Sequence, residues 1–103
     1  MKIIDVINVI EDYAPLALQE SYDNAGLIVG NKNDEVSGVL LCLDSTEEIV
    51  DEAIAKKCNL IVAHHPIVFS GLKKITGKNY IERTIIKAIQ NNIAIYAAHT
   101  NLD

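Results

Sequence analysis

Short apolar runs alternate with segments of helical period between residues 39 and 97, and this order restricts the fold more than any other feature. Residues 39–43, 60–63 and 93–97 are strand-like, and an amphipathic segment separates each run from the next. The order strand, helix, strand, helix, strand is typical of successive crossover connections and therefore of parallel strands. We expect an α/β fold in which helices cover the faces of a sheet with a parallel core.

Three segments have the apolar spacing of amphipathic helices. Residues 3–14 carry apolar side chains at intervals of three or four, which predicts the first helix. Ser45, with Glu48 three residues later, matches a capping box and predicts the start of the second helix. From Tyr80 onwards apolar pairs recur every four residues, so we expect a third helix that ends near residues 91–92.

A further strand is expected before the parallel core. Residues 27–29 form a short apolar run, and a polar segment at 31–35 separates it from the run at 39–43. Two strand-like runs joined by a short polar connection commonly pair with each other. We therefore expect these two runs to form a hairpin or to be neighbours in the sheet.

Size and composition exclude several classes of protein. The 103 residues suit one small domain, and a hydrophobic content of 50% argues against disorder. The formal net charge of −5 argues against binding to nucleic acid or to an anionic membrane. No apolar stretch approaches the roughly 20 residues that cross a bilayer, and no signal-peptide core is present, so a cytoplasmic location is expected.

Because the chain stops directly after a polar cluster, we expect residues 1–103 to be the N-terminal α/β domain of a longer protein.

Histidine and aspartate side chains follow two of the predicted strands. Residues 64–66 have the sequence His-His-Pro, and they stand where the run at 60–63 stops. Residues 99–103, His-Thr-Asn-Leu-Asp, follow the run at 93–97. Ligands of such sheets bind beyond the carboxyl ends of the strands. The three histidines and Asp103 are therefore expected to lie at one site.

The adjacent histidines favour two metal ions over one. Successive residues of an extended strand point to opposite sides, so two neighbouring ions could each bind one imidazole more readily than one ion could bind both. Pro66 disfavours the helical region for His65 and keeps the pair extended. A carboxylate such as Asp103 can bind or bridge two ions that lie about 3.5–4 Å apart. We predict metal binding by His64, His65 and Asp103; the alternative is that the histidines cap a strand through hydrogen bonds to the backbone.

Other residues near this edge of the sheet are expected to have different roles. His99 is the candidate catalytic residue, which orients a ligand or carries a proton. Asp44, at the end of the run at 39–43, is expected to belong to a helix N-terminus. Cys42 and Cys58 lie in or beside apolar runs without C-x-x-C spacing, so we expect reduced, buried thiols rather than ligands.

Three motifs occur together along the chain: Tyr22-Asp23-Asn24-Ala25-Gly26-Leu27, His64-His65-Pro66 with Phe69 soon after, and His99-Thr100-Asn101-Leu102-Asp103. Together they resemble the signature segments of the Nif3-like family, which is often labelled GTP cyclohydrolase 1 type 2. The resemblance covers essentially the whole chain. It departs from the family at Tyr22, where tryptophan is common.

The resemblance implies a three-layer Nif3-like fold and toroidal hexamers of α/β subunits, each with a dinuclear metal centre. By position, His64 and His65 match the family's paired histidine ligands, one per metal, and Asp103 matches its aspartate ligand. Family members are more than twice as long, and a further histidine and a glutamate that complete the centre lie near their C-terminus. Two divalent ions of zinc, iron, manganese or cobalt would suit such ligands. The resemblance also implies a homo-oligomer, a hexamer in the full-length protein, that acts on a small molecule such as a nucleotide.

Three functions are compatible with these features. The first is a metal-dependent hydrolase domain in which a dinuclear centre activates water, and the family label would direct the attack to C8 of the guanine ring of GTP. The second is a non-catalytic, oligomeric metal-binding protein with a regulatory or scaffold role. The third is a metal-dependent phosphoesterase. Open coordination positions would separate the two catalytic functions from the second, because structural metal sites are usually closed by protein ligands.

Overall fold

The strands of the predicted parallel core lie side by side in a four-stranded sheet. A computed structural model describes residues 1–13, 26–65 and 74–97. Its elements are α1 (Ile3–Tyr13), β1 (Gly26–Val29), β2 (Val39–Asp44), α2 (Glu47–Ala55), β3 (Leu60–His65), α3 (Tyr80–Gln90) and β4 (Ala94–Ala97). The order across the sheet is β1-β4-β3-β2, in which β2, β3 and β4 are parallel and β1 is antiparallel to β4. The predicted α/β fold with a parallel-core mixed sheet is confirmed.

The expected pairing of β1 with β2 is wrong, because the two strands lie at opposite edges of the sheet. The polar segment between them is bound to the start of α1, where the amide of Ile3 donates to the carbonyl of Asp34 at 2.9 Å. The chain is thereby carried across the sheet to its far edge. Gly30, directly after β1, lies so close to β4 that a Cβ on it would come within 2.6 Å of the Ala94 Cβ. A larger residue at this position would obstruct the approach of β1 to β4.

Helices cover both faces of the sheet and form two apolar clusters with it. On one face α2 and α3 contribute to a cluster of Val29, Val50, Ala53, Ile61, Ile85, Ala88, Ile93 and Ile95. On the other face α1 contributes to a cluster of Ile3, Ile7, Leu60, Val62, Ala94 and Tyr96. Alternate residues of β3 and β4 enter opposite clusters, as the two-residue period of a strand requires. Among the described helices, none is long and apolar enough to span a bilayer.

One face of the edge strand β2 is apolar and exposed. Val39, Leu41 and Leu43 form this apolar strip, and Leu41 is 73% exposed. Leu41 pairs with Val62, which belongs to the cluster beneath α1, so the strip lies on the same face of the sheet as α1. The strip therefore lies outside the core that the described residues form.

Helix α2 begins with Thr46 as its N-cap. The Thr46 Oγ1 accepts a hydrogen bond from the amide of Ile49 at 3.2 Å, and Thr46 has the extended backbone of an N-cap residue. The predicted cap, Ser45, lies one residue earlier and is buried. Serine and threonine both cap helices well, so the sequence pattern alone did not distinguish the two positions.

The two neighbouring hydroxyl residues give a direct test of this cap. Thr46→Ala is expected to reduce the free energy of unfolding by about 1 kcal/mol, because the amide of Ile49 loses its acceptor. Ser45→Ala is the matched control and should have the smaller effect. Urea unfolding of both variants measures the difference, and a larger loss in Ser45→Ala would restore the capping box at Ser45.

Two apolar residues of neighbouring strands test the position of the core. Ile61 is fully buried, so Ile61→Ala should lower the free energy of unfolding by about 2–5 kcal/mol through lost burial and a residual cavity. Leu41→Ala, on the exposed strip, should change it by no more than about 0.5 kcal/mol. Equal losses in denaturant unfolding would contradict the exposed position of Leu41.

Candidate metal centre

Strands β2 and β3 end side by side and bring Asp44 to His65. In their parallel register Val39 pairs with Leu60 and Asp44 pairs with His65. Each strand is six residues long and ends on a polar side chain after an apolar run. The Nδ1 of His65 and the Oδ1 of Asp44 are 2.9 Å apart. An ionised carboxylate only accepts hydrogen bonds, so this separation suits an imidazole that carries its proton on Nδ1.

His64 and His65 occupy the last two positions of β3. The alternation of the strand directs them to opposite faces of the sheet, yet their ring centroids are only 4.9 Å apart and the ring planes are inclined by 41°. His64 is half-buried, and the His65 side chain is 46% exposed. Both imidazoles therefore lie at one end of the sheet, close enough to serve two neighbouring ions, one each.

The described residues bring together part of the predicted site. Within residues 1–13, 26–65 and 74–97, no group of three or more His, Cys, Asp or Glu side chains is arranged to hold a metal ion. The predicted ligand Asp103 and the candidate catalytic residue His99 lie outside these ranges, so their roles stay predictions. The donor chemistry of the two placed imidazoles suits zinc, iron, manganese or cobalt. Two imidazoles alone do not complete the coordination of a metal ion.

The motifs that carried the family resemblance are described only in part. Of the motif at 22–27, Gly26 and Leu27 form the start of β1, and the rest lies outside the described residues. Pro66 and Phe69 also lie outside them.

The expected role of Asp44 at a helix N-terminus is wrong. Thr46 caps α2, while the carboxylate of Asp44 is hydrogen-bonded to His65. The available signal was the position of Asp44 at the end of its apolar run, which corresponds to the position of His65 at the end of the next one. The sequence does not reveal the register of the two strands, and only that register shows that the two positions are in contact.

The two cysteines are free thiols. Both are half-buried and pack against the cluster beneath α2 and α3. Burial raises the pKa of the Cys42 thiol. Burial thus disfavours the thiolate, the reactive form of cysteine, at Cys42.

Comparison with known proteins shows which sequences this chain resembles. The sequence profile described as Duf34/NIF3 (NGG1p interacting factor 3) matches residues 1–103. A Clostridium acetobutylicum protein named GTP cyclohydrolase 1 type 2 homolog is 48% identical over 103 residues, which cover 100% of this chain and 38% of the relative.

Two solved structures share the fold. A Bacillus cereus protein related to NIF3 superposes with a TM-score of 0.93 at 45% identity, covering 100% of this chain and 28% of that one. Reduced HcgD from Methanocaldococcus jannaschii superposes with a TM-score of 0.91 at 33% identity, covering 100% of this chain and 41% of that one. The chain thus spans less than half the length of each of these relatives. In sequence and in fold, it belongs to the Duf34/NIF3 family.

Proposed function

We propose that this chain is the N-terminal domain of a metal-dependent hydrolase that holds two divalent ions. The observation that carries the proposal is the placement of His64 and His65 at the end of β3, with ring centroids 4.9 Å apart. Each imidazole binds one ion, and Asp103 supplies a carboxylate to the pair. When bound, the two ions supply a water molecule whose pKa is lowered to near neutrality.

The chain's own residues hold the ligands in place. Residues 60–63 of β3 are buried between the two apolar clusters, which gives the histidines that follow them a rigid support. His99 follows β4, whose carboxyl end lies at the same edge of the sheet, and we assign it the proton transfer. A small molecule, a nucleotide such as GTP, is the proposed substrate, in line with the name of the Clostridium relative.

The relatives of this chain are longer, and this supports a whole protein that extends beyond the domain at residues 1–103. We propose that the remaining metal ligands come from that further part. The whole protein is proposed to be a cytoplasmic homo-oligomer, a hexamer, as the family resemblance implies. Its mass in solution, measured by analytical ultracentrifugation, tests this assembly, and a monomer would contradict it.

Metal content tests the centre itself. The whole protein should hold two divalent ions per subunit, and His65→Ala should remove one of them, because one imidazole serves each ion. Elemental analysis of the purified protein measures this. Tyr80→Ala, which removes an exposed ring at the start of α3, is the control and should keep both ions. Unchanged metal content in His65→Ala would refute the assignment.

Turnover assays test the reaction. The metal-loaded whole protein should open the guanine ring of GTP with release of formate, and a chelator should abolish the activity because the attacking water would no longer be acidified. Chromatography of the nucleotide products measures this. Turnover of generic phosphoesters but not of GTP would instead identify a phosphoesterase. Turnover of neither substrate by the metal-loaded protein would identify a non-catalytic metal-binding protein.

A further inference from the structure

The carboxylate of Asp44 is hydrogen-bonded to the ring of His65 and has no part in capping the helix that follows it. We propose that Asp44 is a positioning residue of the metal centre, which holds His65 with its proton on Nδ1 and its Nε2 directed to a metal ion. This inference rests on the proposed function, because it concerns the same histidine ligand. It assigns a role to a residue for which the sequence predicted a purely structural one.

The contact between Asp44 and His65 results from the way their two strands pair in the sheet. Asp44 and His65 are register partners on adjacent parallel strands, so their side chains leave the sheet on the same face. The five register pairs of β2 and β3 run from Val39 and Leu60 to Asp44 and His65, and the buried part of β3 maintains this alignment. That alignment sets the two side chains next to each other, and their Nδ1 and Oδ1 atoms are 2.9 Å apart.

The hydrogen bond decides which ring nitrogen can bind a metal. A neutral imidazole carries one proton, and a carboxylate that accepts from Nδ1 keeps the proton there. The lone pair is then on Nε2, the nitrogen farther from the backbone. Histidines that bind metals commonly donate their other N–H to a carboxylate, which fixes the orientation of the ring and makes it a stronger ligand. The Asp44–His65 pair has this arrangement.

A structural explanation of the pair is weaker. The side chains of His65 and Asp44 are 46% and 66% exposed, and such pairs contribute little to stability because water competes for both partners. Thr46 already supplies the side-chain acceptor for α2. Loss of the Asp44 carboxylate should therefore affect metal binding far more than folding.

Zinc affinity is the first test. Titration of the protein with Zn²⁺ against a competing chelator should show about 10- to 100-fold weaker binding in Asp44→Ala. Asp44→Asn, which keeps the shape and an acceptor oxygen but loses the charge, should show a smaller loss. Asp51→Asn is the control, since it removes one exposed carboxylate from α2 and should leave the affinity unchanged. Circular dichroism melting should show that all three variants remain folded.

The tautomer of His65 is the second test, and it requires no metal. Nitrogen-15 chemical shifts of the ring in the metal-free protein should show the proton on Nδ1, and the signals are assigned by their loss in His65→Gln. In Asp44→Ala the proton should move to Nε2 in a substantial fraction of molecules, whereas Asp51→Asn should match the unchanged protein.

The outcomes separate this inference from the proposed function. Zinc bound through His65 with unchanged affinity in both Asp44 variants would overturn the positioning role and leave the metal centre intact. Weaker zinc binding without a change of tautomer would make Asp44 a direct ligand and would also overturn it. If His65→Ala binds zinc as well as the unchanged protein does, the proposed function fails, and the positioning role of Asp44 fails with it. Zinc bound through His65 together with a proton on Nε2 in the metal-free protein would overturn the positioning role alone.

Discussion

The parallel register between β2 and β3 is the constraint on which the candidate site depends. It aligns two apolar runs and, at their common end, sets Asp44 against His65. A slip of one residue would exchange the faces of β2, so that Leu41 would turn toward α2 and Asp44 away from His65. Apolar packing several residues away therefore determines the geometry of a polar pair. The position of Asp44 beside His65 is thus a consequence of how the apolar core aligns β2 with β3.

The end of the sheet combines a rigid support with accessible chemistry. β3 is buried along its first four residues and becomes accessible only at its last two, the half-buried His64 and the exposed His65. α2 follows β2 after a short connection, and its cap is Thr46, so the carboxylate of Asp44 remains available to the imidazole. Thr46 and Asp44 thus have separate roles. This division allows a solvent-accessible site to be held in a fixed geometry, as a metal centre requires.

The two faces of the sheet are covered unequally. α2 and α3 pack against one face, while α1 packs over β3 and β4 on the other and leaves the apolar strip of β2 exposed. Exposed apolar side chains on an edge strand are uncommon at the solvent-exposed surface of a protein, because such edges can pair or pack with other protein segments. The family relatives extend well beyond the region that this chain matches. The core of the domain is nevertheless formed by contacts among the described residues.

Local patterns were enough to predict the helices, the strands and the parallel core, because apolar periodicity reports which face of an element is buried and the order of elements restricts their connection. The adjacent histidines could be recognised as candidate ligands for the same reason: their chemistry and their place after a buried run are visible in the chain. Only the tertiary structure decided that β1 pairs with β4, that Thr46 caps α2 and that Asp44 binds His65. Strand partners and register depend on packing across the whole sheet, and a local sequence pattern carries no information about that packing.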